Sequence, residues 1–184
     1  MEERMSLKEM FIASRQELKK TSTLTITAVM IGLSAVLSMF TIVASQYLKI
    51  SLFYLPVAVV GMLFGPVVSG LAGGIVDILV FLIKPTGAYF PGFTFDRILM
   101  GVIFGIFLYR RQPKWSLVIT ANLLVTLLVN LFFNTLWLWI LSGNAIFAII
   151  PGRIIKNVVA FPLEVVMLYF VVQFIWKSFS QRFF

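Results

Sequence analysis

Apolar residues fall into six runs along the chain, separated by short polar breaks. A helix needs about 20 residues to cross a bilayer, and the clearest candidates are Leu24–Ala44, Val67–Ile83, Phe95–Tyr109 and Trp115–Leu141. A further short run, Ile50–Phe64, ends at Gly65-Pro66, a dipeptide that marks a tight turn. The last extends from Pro151 to Trp176, with Pro151 placed for a first helical turn and Pro162 for a kink. Residues 1–23 are polar, amphipathic and charged, and FIASRQELKK (11–20) is compatible with an interfacial helix. The pattern predicts an all-α membrane protein of six transmembrane helices. Its two parts are a basic cytoplasmic N-terminal tail (1–23) and a six-helix transmembrane domain (24–184).

Composition fixes the class. Of 184 residues, 60% are hydrophobic and 12% charged, about half the charge of an ordinary soluble domain, and the mean hydropathy is +1.02. There is no cysteine and no histidine, so no disulfide framework, no thiol or imidazole metal site and no histidine-based triad is expected. No signal-peptide pattern of early apolar core and small-residue cleavage site is visible. No phosphate-cradling G-x-x-x-x-G-K-[ST] run occurs either. The chain is therefore not expected to be an enzyme or to need a cofactor.

Charge then orients the helices. With both termini in the cytoplasm, Arg4, Lys8, Arg15, Lys19, Lys20, Arg110, Arg111, Lys114, Lys177 and Arg182 lie inside. These are ten of the fifteen basic residues, as the positive-inside rule asks. The other five, Lys49, Lys84, Arg97, Arg153 and Lys156, fall on the outer side, opposed there by Asp77 and Asp96. Such a cluster suits a mouth that gathers an anionic solute. The alternative is snorkelling to outer headgroups, which accounts most simply for Lys49 and Lys84 taken singly.

Polar residues at helical spacing point to a lined interior. On the fifth helix, Asn122, Thr126, Asn130, Asn134 and Trp137 recur on one face, and on the sixth Arg153, Asn157, Ala160 and Glu164 do the same. Amides facing lipid would be costly. For the deeper Asn122, Thr126 and Glu164, interhelical hydrogen bonding explains the pattern as well as ligand contact does. Asp77 has two readings, holding a neighbouring helix or pairing with a buried cation. Small residues form a second pattern: Ala28, Gly32 and Ala35 on the first helix, Gly70 and Gly74 on the third, Gly101 and Gly105 on the fourth. Such spacing lets helix backbones approach.

The segment LIKPTGAYFPGFTFDR (82–97) is the least lipid-like part of the apolar region. Pro85 and Pro91 interrupt helix, Gly87 and Gly92 permit bends, and Tyr89, Phe90 and Phe93 offer an apolar face beside Arg97.

Together with FYLPVAVVGMLFGPVVSGLAGGIVDIL (53–79), PTGAYFPGFTFDRILMG (85–101), FFNTLWLWILSG (132–143) and the PGRIIK opening of the last helix (151–156), this segment resembles the S components of energy-coupling-factor (ECF) vitamin transporters, most of all the folate-specific type. The resemblance implies a six-helix subunit of the cell membrane. It would bind one vitamin near the extracellular side and deliver it with a transmembrane coupling subunit and two ATPases, which hydrolyse the ATP. It also implies that the loop between the third and fourth helices acts as a lid. Ala28, Gly32 and Ala35 would face the coupling subunit.

For a folate, Arg97 and Arg153 are the natural partners of the glutamate carboxylates, with Lys156 and Asp77 nearby. Tyr54, Tyr89, Phe90, Phe93, Trp137 and Asn134 could supply aromatic walls and amide contacts for the rings. Other S-component substrates, such as pantothenate or a hydroxymethylpyrimidine precursor of thiamine, lack one or other of these groups. A stand-alone transporter, or a purely structural membrane protein, is the reading from a different class.

Overall fold

The structure, a computed structural model, describes residues 5–43, 49–85, 89–143 and 146–183. Helix α1 (Leu7–Glu17) lies ahead of the long α2 (Thr21–Met39). A two-stranded antiparallel ribbon follows, β1 (Thr41–Val43) with β2 (Lys49–Ser51), in which Ile42 faces Ile50. Then come α3 (Tyr54–Phe64), α4 (Pro66–Ile83) and α5 (Pro91–Leu108). The next long helix is composite: α6 (Trp115–Leu124), a π-helix over Val125–Phe133, and α7 (Asn134–Ser142). Helix α8 (Ile146–Phe183) ends the chain with Pro151 and Pro162 inside it.

Several boundaries differ from the expectation, each for a physical reason. Among the described residues five helices are long and apolar enough to cross a membrane, and α3 is a shorter apolar helix. The 11 residues of α3 give only about 16 Å of rise. The expected Ile50–Phe64 run is shortened because Lys49–Ser51 is taken into the ribbon, where the β-branched Thr41, Ile42, Val43 and Ile50 suit a pleated backbone. Among the described residues the regular structure is thus helical except for this ribbon. Pro91 opens α5, since a first-turn residue needs no N–H partner, and Arg97 accordingly sits in the second turn. Pro151 lies within α8, because that helix starts earlier, at Ile146.

The core is built around α3, every residue of which is buried. Helices α4 and α5 cross so closely that glycine is required at the contact. A Cβ on Gly101 would strike the Ser69 carbonyl, one on Gly105 the Pro66 backbone, and one on Gly73 the Arg97 carbonyl. Without a hydrophobic drive between helices in lipid, this close backbone packing is what holds them. Helix α2 follows the same logic inside out. It buries Thr23, Thr27, Ser34 and Ala35, while Leu24, Val29, Leu33 and Val36 point outward.

The end of the bundle where α5 terminates is fastened by α1. Gly65, at φ +87°, lets the chain reverse between α3 and α4 but has no side chain to cap the start of α4. Ser14 caps it from a distance: its hydroxyl accepts from Val67 N at 3.0 Å and Val68 N at 3.3 Å and donates to Phe64 O at 2.7 Å. One turn on, Glu17 accepts from Lys20 (2.9 Å), Thr23 (3.0 Å) and Arg110 (3.2 Å).

Candidate functional site

The opposite end, where α4 finishes and α5 begins, is loosely packed and polar. Two adjoining cavities lie there. One, of about 280 Å³, is lined by Phe53, Tyr54, Met100 and Phe104 and by the polar side chains Arg97, Asn122, Asn130, Asn134, Arg153, Lys156, Asn157 and Glu164. The other, of about 540 Å³, is more apolar, with Phe81, Tyr89, Phe90, Phe93, Leu138 and Leu141 beside Asp77, Lys84 and Asp96. Arg97, Asn130 and Asn134 line both.

Local sequence explains how these side chains converge. In an α-helix a four-residue spacing drifts by about 40° per step, so Asn122, Thr126, Asn130 and Asn134 would spiral away from one another. The Val125–Phe133 π-helix, with about 4.4 residues per turn, reverses the sense of that drift and keeps the later asparagines in line with the first. Three of the four line the smaller cavity, and Thr126 is buried beside them. On α8 the i, i+4, i+11 spacing brings Arg153, Asn157 and Glu164 to the same cavity.

Hydrogen bonds fix several groups. Arg153 donates from Nη2 to Asn134 Oδ1 at 2.6 Å and to Asn130 O at 3.0 Å, leaving its buried Nε without a partner. At the end of the π segment the Asn134 N–H bonds Val129 O, an i→i−5 contact, in place of the α-helical bond to Asn130 O. Asp96 accepts from Trp137 Nε1 at 3.0 Å, and its other carboxylate oxygen is buried and unpartnered. Arg97 is half-buried, its Nε 3.6 Å from Asp77 Oδ1 and its guanidinium 3.8 Å above the Phe53 ring. Tyr54 donates to Glu164 O at 3.1 Å. Rings interlock around the larger cavity, with Phe90 against Phe93 (5.8 Å) and Trp137 (5.7 Å).

The structure gathers the sequence-derived candidates at this end of the bundle. Arg97, Arg153, Asn134, Tyr54 and Lys156 line the smaller cavity; Tyr89, Phe90, Phe93 and Asp77 line the larger. Trp137 lines neither but braces Asp96 and Phe90. Lys84 reaches the larger cavity. The side chain of Lys49, and Gly87, lie outside what the structure describes. The docking stripe is split: Ala28 and Gly32 are exposed, Gly32 with nothing near it, whereas Ala35 is buried.

Asn130 and Asn157 are legible in the sequence as members of polar faces and Asp96 as a counter-charge of the outer cations, whereas Phe53 and Gly73 carry no such mark. The Arg97–Phe53 contact and the fit of Gly73 against the Arg97 carbonyl carry no sequence signal, since they arise between separate helices.

Comparison with known proteins gives a concordant result. Residues 22–172 match the family model of the ECF transporter substrate-specific component. The folate transporter FolT of Clostridium novyi (strain NT) is 37% identical over 152 residues, covering 83% of this chain and 88% of that one. FolT of Leuconostoc mesenteroides is 31% identical over 149 residues, 78% of this chain and 80% of its own. A crystal structure of FolT bound with folic acid superposes with a TM-score of 0.74 at 36% identity, covering 82% of this chain and 91% of that one.

Proposed function

Since the chain belongs to the family of ECF transporter substrate-specific components, a family of multi-pass membrane proteins and not of enzymes, we propose that it binds folate and delivers it across the plasma membrane. In this proposal six segments cross, α3 included, with both termini cytoplasmic, and folate is captured from the extracellular side. A transmembrane coupling subunit and two ATPases supply the energy. The observation that carries the proposal is the convergence of Arg97, Arg153 and Lys156 with a row of asparagines in one cavity, next to an aromatic chamber. The cations suit the two carboxylates of the glutamate tail. The amides and rings suit a flat heterocycle that needs donors, acceptors and stacking surfaces. The likeness to two folate transporters, and to a FolT structure holding folic acid, supports the same ligand.

Tyr89, Phe90 and Phe93 are proposed as the lid, Arg97 and Arg153 as the anchors, and Asn134, Trp137, Tyr54 and Lys156 as the surrounding contacts, with Asp77 beside Arg97 as a partner of that cation. Ala28 and Gly32, on the exposed side of α2, are proposed as part of the surface that meets the coupling subunit. The test is titration of folate into detergent-purified protein. One-to-one binding is expected, with Arg97→Ala and Arg153→Ala each weakening it roughly 10- to 100-fold, about 1.4–3 kcal/mol. Unchanged affinity in both variants would remove the anchor assignment.

A further inference from the structure

Arg97 borders more than the two chambers described above. A third cavity, of about 150 Å³, lies between Phe53, Ser38, Val76 and Asp77, and Arg97 lines that one too. A single guanidinium therefore stands at the junction of all three. It is held there by two groups of the protein itself. Phe53 covers one face of its plane at 3.8 Å, and the Asp77 carboxylate lies at its edge, 3.6 Å from Nε.

Asp77 is in turn held in place. Its second oxygen accepts the Thr94 hydroxyl at 2.7 Å, and the Tyr89 hydroxyl is 2.7 Å from Thr94 Oγ1. Thr94 has one proton, which goes to the carboxylate, so Tyr89 must be the donor to Thr94. The resulting chain runs Tyr89 to Thr94 to Asp77 to Arg97. It joins the segment ahead of α5 to the cation at the cavity junction.

We propose that Asp77 is an internal competitor for Arg97. Its carboxylate lies against the Nε edge of the guanidinium that an anionic ligand requires, and the Tyr89–Thr94 relay holds it in that position. Release of Arg97 from Asp77 and capture of the ligand carboxylate are then one exchange. The protein contributes a carboxylate to the guanidinium until the ligand supplies its own, so Arg97 keeps an anionic partner throughout. Because Tyr89 holds the far end of the relay, closure of the aromatic segment over a ligand and release of the anchor are coupled. The apparent affinity is lowered by the fraction of molecules in which Arg97 is engaged.

This inference rests on the folate reading, and the direction of one substitution tests it. Asp77→Asn keeps the shape and an acceptor for Thr94 but removes the charge that competes. Folate titrated into the purified variant should bind roughly 5- to 10-fold more tightly than to the wild-type protein. The gain should vanish in an Arg97→Ala background and be absent for an uncharged pterin without the carboxylated tail. Tyr89→Phe, which keeps the ring and removes only the relay donor, should shift folate affinity in the same direction by about 2-fold. This second variant decides the matter if Asp77→Asn is poorly folded. Weaker or unchanged folate binding in the charge-removed variant would overturn the competitor role and make Asp77 a support for Arg97. Failure of the wild-type protein to bind folate at all would end both readings.

Discussion

The two ends of the α4–α5 pair are packed on opposite principles. Toward the α1 end, Gly101 and Gly105 of α5 meet Ser69 and Pro66 backbone to backbone, and the Ser69 hydroxyl lies 2.7 Å from Gly101 O and 2.8 Å from Gly65 O. Nothing there has room to move. Toward the other end the pair stays in contact, Gly73 against the Arg97 carbonyl, but the space between it and the α6–α7 and α8 helices is taken by cavities of about 280 and 540 Å³. The cavities have fixed walls because the closed end is packed tightly enough to hold the helices in place. Long polar side chains and a π-helix keep the other end open. Rigidity at the glycine contact is what allows several helices to present side chains at fixed positions elsewhere.

The sharpest way to break this contrast is at the closed end. Gly101→Val forces side-chain atoms into the Ser69 carbonyl, against backbone that cannot yield. The expected cost is about 3 kcal/mol or more, read as loss of monodisperse protein in detergent. A stable, folate-binding variant would show that the contact is not the scaffold.

At the open end, a truncation should leave the fold intact and change binding. Asn134→Ala removes the oxygen that accepts from Arg153 at 2.6 Å. Folate affinity should fall about tenfold, about 1.4 kcal/mol, with thermal stability nearly unchanged, as measured by titration and a melting scan on the same sample. A large drop in melting temperature would place Asn134 with the scaffold instead.

The smallest effect is expected where neither principle applies. Gly32 on α2 has nothing within 4 Å of a Cβ position, so Gly32→Leu should alter stability by less than about 0.5 kcal/mol and leave folate titration unchanged. Uptake by cells that carry the coupling subunit and ATPases should nevertheless fall. Normal uptake would remove Gly32 from the proposed docking surface.

How much of this was legible in the sequence depends on the kind of signal. Runs of apolar residues located α4 to within a residue, because its turn, Gly65-Pro66, is written locally. The start of α8 differs because a proline reads as a helix start, yet a membrane helix tolerates one inside where neighbouring groups satisfy the freed carbonyl. The asparagine row on the fifth helix was visible as a four-residue spacing. That these asparagines stay aligned follows from a π segment that no residue pattern announced. Arg97 stood out as a cation in an apolar run. Its engagement by Asp77 and Phe53, which lie on separate elements 20 and 44 positions earlier in the chain, could not be read from spacing along one helix.

The sequence by itself determined that the chain is a helical membrane protein, roughly where its helices run, and which polar and cationic residues are too costly to leave facing lipid. Hydrophobicity and helical period are local properties and are carried by the residues in order. Tertiary structure alone decided that Ser14 caps α4, that Gly73 rather than its neighbours makes room for the Arg97 backbone, and that one guanidinium sits at the junction of three cavities. Those outcomes depend on the distances between helices. Such distances are set by close backbone packing and by hydrogen bonds made across the bundle, between residues far apart in the chain.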